Sequence, residues 1–129
     1  MAILEGETVS LDGRLHDRPL IGEAGRVLDA MLFPSLLTSL QPDYLLTYRL
    51  VPTSASETEI IADVFFHPST AKPGFDAPDV YAFWDRVNAE DRAICESQQR
   101  NVRSRAFAPR YLPNEEGLAA FERLVAAEL

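Results

Sequence analysis

The chain has 129 residues, of which 47% are hydrophobic and 25% are charged, and its formal net charge is -8 with a pI of about 4.7. A chain of this length forms one domain at most, with a single core. The excess of negative charge repels phosphate backbones and anionic lipids, so we expect neither nucleic acid nor a membrane as a partner. No leader-like segment and no apolar run long enough to span a bilayer is visible, which predicts a cytoplasmic protein.

The beginning of the chain has weak strand character. Residues 7–11 (ETVSL) alternate and end at the turn pair Asp12-Gly13, which predicts a short strand. The mixed, turn-rich sequence that follows predicts a surface loop, with a helical turn at residues 26–30.

From Met31 onward, three runs are rich in leucine, β-branched and aromatic residues: MLFPSLLTSLQ, DYLLTYRLVP and TEIIADVFFHP. Each run ends at a turn signal, so they predict three strands, and the short joints predict an antiparallel meander. Pro34 cannot donate to a ladder. The first of these strands is therefore either bulged at Pro34 or begins after it.

The last part of the chain predicts two helices. The first has Asp76 as N-cap and Pro78 in its first turn, and extends to about Arg100. The second follows the sequence Asn114-Glu115-Glu116, and its apolar positions keep helical spacing: Leu118, Phe121, Val125 and Leu129. The expected fold class is α+β, with an antiparallel sheet packed on a long helix.

An acidic residue interrupts the apolar stripe of the long helix. Asp91 continues the spacing of Val80, Trp84 and Val87, so its side chain is predicted to point to the buried side. A buried carboxylate requires an arginine, hydrogen-bond donors or a metal cation. Three alternatives stay open: a structural contact such as a loop cap or a pair with Arg49, a metal ligand, or partial exposure at the edge of the helix.

Several segments resemble a known enzyme family. They are FPSLLTSLQPDYLLTYRLVP, ADVFFHP, FWDRVNAEDRAICESQQ and SRAFAPRYLPNEEGLAAFERLVAAEL. In this order they are similar to the carboxyl-terminal part of the catalytic domain of Rieske-type non-haem iron ring-hydroxylating oxygenases, alpha subunit. The likeness extends from about Glu5 to the end, and implies that residues 1–129 are a single, partial catalytic domain without the Rieske domain.

The resemblance implies a partial helix-grip fold, in which an antiparallel sheet wraps a long helix, and a single iron held by two histidines and one carboxylate. The family pattern E-D-x-x-x-C-E-x-x-Q reads Glu90 to Gln99 here, which assigns Asp91 as the metal ligand and Val87, one turn earlier, to the substrate pocket. Such a triad leaves one face of Fe(II) open for dioxygen beside the substrate.

The chain cannot supply the remainder of that machinery. It has one cysteine and two histidines, His16 and His67, so it contains neither a Rieske motif nor a helix with two histidines a few residues apart. We predict that His16 and His67 lie outside the metal shell, facing solvent or bonding to a turn, and that the lone Cys95 is a small buried apolar residue. The expected cofactors of the complete enzyme are Fe(II) and a [2Fe-2S] cluster. We expect this chain alone to bind neither cofactor and to contain no catalytic residue.

Two functions follow. In the first, the chain is the carboxyl-terminal catalytic portion of an aromatic-ring-hydroxylating oxygenase, acting on a small aromatic or apolar substrate, with a separately encoded half and a reductase as partners. In the second, it is an iron-free helix-grip module that binds a small apolar ligand between sheet and helix, with walls from Phe65, Tyr81, Trp84 and Val87. Because a partial sheet exposes an edge or an apolar face, we expect a homo-oligomer or a complex with the missing half.

Overall fold

The computed structural model describes residues 6–20, 23–108 and 115–128. These form four strands and two helices, in the order β1 (Leu28–Leu32), β2 (Leu36–Leu40), β3 (Tyr44–Ser54), β4 (Glu57–Phe66), α1 (Pro78–Asn101) and α2 (Glu116–Ala127). The described residues up to Ala93 belong to one compact unit and those from Ile94 to a second, so that α1 passes from one into the other. The α+β prediction is confirmed.

The strands form one antiparallel sheet in the order β1-β2-β3-β4, which confirms the meander. Pro34 lies in the turn between β1 and β2, and β2 begins at Leu36, so the strand does start after the proline. The residues before Pro34 form a separate strand, β1, which was not predicted. The helical turn predicted at residues 26–30 is wrong, because Leu28 to Ala30 pair with Leu40 to Thr38.

The short strand predicted at residues 7–11 is also wrong. These residues form a loop whose ends meet, since the N–H groups of Glu7 and Thr8 donate to the carbonyl of Gly13, at 2.7 and 3.3 Å. Gly6 and Gly13 both have positive φ, and a Cβ on Gly6 would come within 2.9 Å of the Gly13 backbone. Only glycine permits this close approach. We call residues 6–13 the N-terminal loop.

The two faces of the sheet have different surroundings. Tyr44 and Leu46 of β3 point to the face on which α1 packs, and they are buried together with Ala77 and Val80. Alternation along a strand turns the next residues to the opposite, outer face. That face carries a row of apolar side chains in register across all four strands: Leu28, Leu40, Leu45 and Phe65.

Both predicted helices are present. α1 begins at Pro78 and ends at Asn101, one residue past the predicted limit. Asp76 accepts from the N–H of Ala77 at 2.9 Å, and the Ala77 carbonyl accepts the first helical bonds, so Asp76 lies one residue before the N-cap. The Asn114 and Leu129 predictions lie outside the described residues. Neither α1 nor α2, as described, is long and apolar enough to cross a membrane.

Candidate functional site

The predicted stripe of α1 is covered along its first half only. Val80 is fully buried and Trp84 and Val87 are partly buried, whereas Asp91 is exposed and Ile94 is 60% exposed. The prediction that Asp91 points to the buried side is therefore wrong for this chain. Helical spacing does place it on the same face as Val80, but the side chains that bury that face pack on the first turns of α1.

A hydrogen bond ties α1 to the sheet within one turn of Asp91. The Tyr48 hydroxyl donates to Oδ1 of Asn88 at 2.8 Å. Burial raises the pKa of Tyr48, and the negative charge of Asp91 raises it further. Asp91 follows Asn88 by three residues on α1, and therefore lies at the border between the covered and the exposed parts of the helix.

Arg49 does not neutralise Asp91. Its guanidinium lies 3.4 Å from the carboxylate of Asp63, a diagonal neighbour on β4. None of the ion pairs among the described residues uses Asp91. The structure therefore shows an exposed Asp91 and no pair with Arg49, and the metal-ligand alternative stays a prediction. Cys95, predicted to be buried, is exposed as well.

The four predicted pocket residues do not meet. Phe65 is 52% exposed on the outer face of the sheet, opposite to Phe66, which packs in the core. Tyr81 is 43% exposed on α1. Trp84 packs against the core, and Val87 lines a groove beside the N-terminal loop. The prediction of a pocket between sheet and helix, with all four residues as its walls, is therefore wrong.

A chain of hydrogen bonds joins α1, the sheet and the N-terminal loop. The indole N–H of Trp84 donates to the Tyr44 hydroxyl at 2.7 Å, and that hydroxyl donates to the carbonyl of Val9 at 2.5 Å. Burial raises the pKa of Tyr44 well above its usual range. A neutral phenol can act as donor and acceptor at once, so this side chain fixes both neighbours.

His16 was expected to face solvent or to bond to a turn, and it does neither. Its ring nitrogens lie 3.3 Å from Oδ2 of Asp43 and 3.1 Å from Oδ1 of Asp79. The ring also meets Phe66 and Phe75 edge-on, at centroid distances of 5.5 and 6.0 Å. His67 differs from His16. It is exposed, and its Nδ1 lies 2.8 Å from the hydroxyl of Ser69, as expected of a histidine that bonds to a turn.

Asp43 is the polar residue that sequence reasoning missed. It is fully buried, and its carboxylate accepts from the Thr8 hydroxyl at 2.5 Å and from the N–H of His16 at 2.7 Å. In the sequence, Asp43 looks like an ordinary turn residue after Pro42. Its partners lie 35 and 27 positions away, so no local spacing could have identified them.

The described residues do not make an iron site by themselves. Within 6–20, 23–108 and 115–128, no group of three or more His, Cys, Asp or Glu side chains could hold a metal ion. Asp91 supplies one carboxylate, whereas the triad requires two imidazoles as well. Both imidazoles of the chain are engaged elsewhere, His16 with Asp43 and Asp79, and His67 with Ser69.

Comparison with known proteins supports the resemblance. Residues 17–129 match the family described as ring hydroxylating alpha subunit, catalytic domain. Two curated relatives are glycine betaine monooxygenase oxygenase subunits from two strains of Pseudomonas aeruginosa. Each is 24% identical over 115 residues, which cover 84% of this chain and 27% of the relative. The chain thus spans about a quarter of the length of these relatives.

Proposed function

The chain belongs to the family of Rieske-type ring-hydroxylating alpha subunits and matches its catalytic domain, and on that premise we propose that it is the carboxyl-terminal portion of an oxygenase catalytic domain that contributes Asp91 to a non-haem iron site. The imidazole ligands and the [2Fe-2S] cluster come from residues outside this chain. The chain has no oxygenase activity alone. In the complete enzyme, which we place in the cytoplasm, a reductase supplies electrons and a small aromatic or apolar molecule is the substrate.

The state of the Asp91 carboxylate is the observation that carries this proposal. It is exposed on α1, it is not used by any ion pair among the described residues, and its charge acts on Tyr48 at the border of the covered part of the helix. Because Asp91 is exposed, water solvates its carboxylate and no protein partner is required. Such a carboxylate is available to a ligand set that arrives from outside.

The neighbouring Glu90 provides a matched contrast. It is also exposed, but its carboxylate pairs with the guanidinium of Arg86 at 3.3 Å, one turn earlier on the same helix. The two acidic residues are adjacent on α1, and their side chains point about a hundred degrees apart. Each can therefore be replaced without changing the side chain of the other. A comparison of the two variants therefore distinguishes a specific role of Asp91 from a general effect of losing one negative charge on α1.

The test is the iron content of the Asp91→Asn and Glu90→Gln variants. Ferrous iron is added anaerobically to the chain alone and to its complex with a co-expressed segment of the same enzyme that carries the two histidines. We expect about one iron per complex for the unchanged chain and for Glu90→Gln, a loss of more than tenfold in affinity for Asp91→Asn, and no stoichiometric binding by the chain alone. Equal iron in the complexes of both variants would refute the role of Asp91.

The outer face of the sheet supports a second part of the proposal, which is association. Leu28 is 60% exposed and Leu32 is 54% exposed on the edge strand β1, and Phe65 is 52% exposed on the other edge strand, β4. Apolar faces and free strand edges of this kind are seldom left open to water. We propose that the chain forms a homo-oligomer or joins the remaining part of the domain, and a monodisperse monomer in light scattering would contradict this.

The iron-free binding module is the second candidate function. Phe65 lies on the outer face of the sheet, opposite to the face that packs in the core, and this removes the pocket from which the module was argued. A module of this kind would bind its ligand equally well whether or not Asp91 is replaced. The metal test therefore separates the two functions.

A further inference from the structure

The N-terminal loop and α1 enclose a groove that contains neither Asp91 nor Tyr48. It has a volume of about 410 Å³ and is lined by Ser10 and Leu11 of the loop and by four residues of α1: Phe83, Arg86, Val87 and Glu90. These four lie on the side of α1 that faces away from the Tyr48–Asn88 hydrogen bond. We propose that this groove binds a small neutral molecule with a compact apolar body and one hydrogen-bonding group, such as an alcohol.

The wall contributed by the loop is held in place before any ligand arrives. The Gly6 and Gly13 contact closes the loop at its base, and the Ser10 hydroxyl accepts from the N–H of Gly13 at 3.0 Å. At its middle, the Val9 carbonyl accepts from Tyr44 and the Thr8 hydroxyl donates to buried Asp43. A wall fixed at three points costs little ordering entropy on binding.

The lining indicates the chemistry of the ligand. Leu11 lines the groove and is 58% exposed, so its apolar side chain is available to a ligand. Leu11, Phe83 and Val87 supply an apolar surface, and burying it against a ligand is favourable in proportion to its area. At the rim, Arg86 and Glu90 neutralise each other at 3.3 Å. They offer a donor and an acceptor without a net charge, which suits a neutral polar group better than an ion.

The size of the groove decides between a small molecule and a macromolecule. An apolar cavity of about 150 Å³ is enough for benzene, so a groove of about 410 Å³ accepts a single ring with its substituent. A stable protein interface involves roughly 20–30 residues on each side. Six lining residues are too few for one.

The chain carries its own reporter for this site. Trp84 is the only tryptophan of the protein, and its ring meets that of Phe83 edge-on at a centroid distance of 5.3 Å. A ligand seated against Phe83 changes the surroundings of the indole. Its fluorescence can therefore be measured in the full chain, without metal or partner.

The experiment titrates the full chain with cyclohexanol and follows the fluorescence of Trp84. We expect a saturable change in the unchanged chain. Leu11→Ala should weaken binding about fivefold, since it removes roughly one to two methylene groups' worth of contact. Leu20→Ala is the matched control, because Leu20 is an exposed leucine (41%) outside the groove, and its affinity should stay within about twofold of the unchanged chain.

Two analogues with the same ring test the neutral character of the ligand. Cyclohexanecarboxylate and cyclohexylammonium should bind more weakly than cyclohexanol, because each must separate Arg86 from Glu90 or face a like charge. A signal that does not saturate, equal affinities of Leu11→Ala and Leu20→Ala, or tighter binding of either ion would overturn the proposal.

The groove goes beyond the proposed function, and of the residues predicted to line the substrate pocket it contains only Val87. Asp91→Asn should leave cyclohexanol binding unchanged while it lowers iron binding in the complex. Unchanged iron in that variant with a clear Leu11→Ala effect would refute the iron role alone. Lost iron with no effect at Leu11 would refute the groove alone.

Discussion

The two halves of α1 have the same apolar spacing and opposite surroundings. In the first half, Val80 is fully buried and Trp84 is fixed by its hydrogen bond to Tyr44. In the second half, Asp91 is exposed and Ile94 is 60% exposed. Periodicity thus identifies the face of a helix on which contacts can form, but the covering elements decide how much of that face is buried.

The largest loss of stability is expected from a substitution at the buried carboxylate of Asp43. Asp43→Ala removes the acceptor of Thr8 and His16 and should lower the free energy of unfolding by about 3 kcal/mol, because buried donors lose their partner. Urea unfolding measures it. Asp85→Ala, an exposed position on α1, should change stability by less than about 0.5 kcal/mol. Similar losses in both variants would contradict the role of Asp43 as a buried hub.

A pair of alanine substitutions on one stripe tests the comparison directly. Val80→Ala should cost about 2 kcal/mol, from lost burial and the cavity that remains. Ile94→Ala deletes a larger side chain and yet should cost less than about 0.5 kcal/mol, since Ile94 is mostly in water. If the two losses in urea unfolding were equal, the second half of α1 would be covered in solution. In that event the loss at Ile94 should depend on protein concentration.

The smallest effect concerns pH and the segment that follows the N-terminal loop. Hydrogen bonds from the Thr70 hydroxyl, the Arg18 N–H and the Ser69 hydroxyl lower the pKa of Asp17 from 3.8 to about 2. Since this pKa is lower in the folded chain, the stabilisation is complete above about pH 4 and is lost as the pH falls through 2. Asp17→Asn should flatten the acid unfolding curve slightly in this window.

Circular dichroism at decreasing pH measures that change. The control is Asp85→Asn, at an exposed position of α1. An acid curve of Asp17→Asn that keeps the slope of the unchanged chain between pH 4 and pH 2 would show that the Thr70 and Ser69 contacts do not persist in solution.

Sequence patterns predicted the elements that depend on local order. The α1 start at Pro78, its length of 24 residues and the strands β2, β3 and β4 follow from capping, periodicity and turn residues. β1 was missed because Pro34 divides an apolar run whose two parts look like one strand. The loop at residues 7–11 was mistaken for a strand because its alternation is real, while the closing contact between Gly6 and Gly13 depends on backbone geometry.

The candidate site was predictable only in part. Asp91 was found as an irregularity in the stripe, and the family resemblance gave it a role, but its exposure depends on what packs against α1. The partners of Asp43 and the groove at Leu11 are set by residues distant in sequence. Contacts of this kind carry no periodic signal, so the sequence could not have shown them.

The buried Asp43 has a consequence for how the molecule opens. One carboxylate serves donors from the N-terminal loop and from the segment that carries His16, while it sits at the start of the longest strand. If either segment separated from the sheet, the buried carboxylate of Asp43 would lose a hydrogen-bond donor. We therefore expect residues 6–20 to unfold together with the sheet as one cooperative unit.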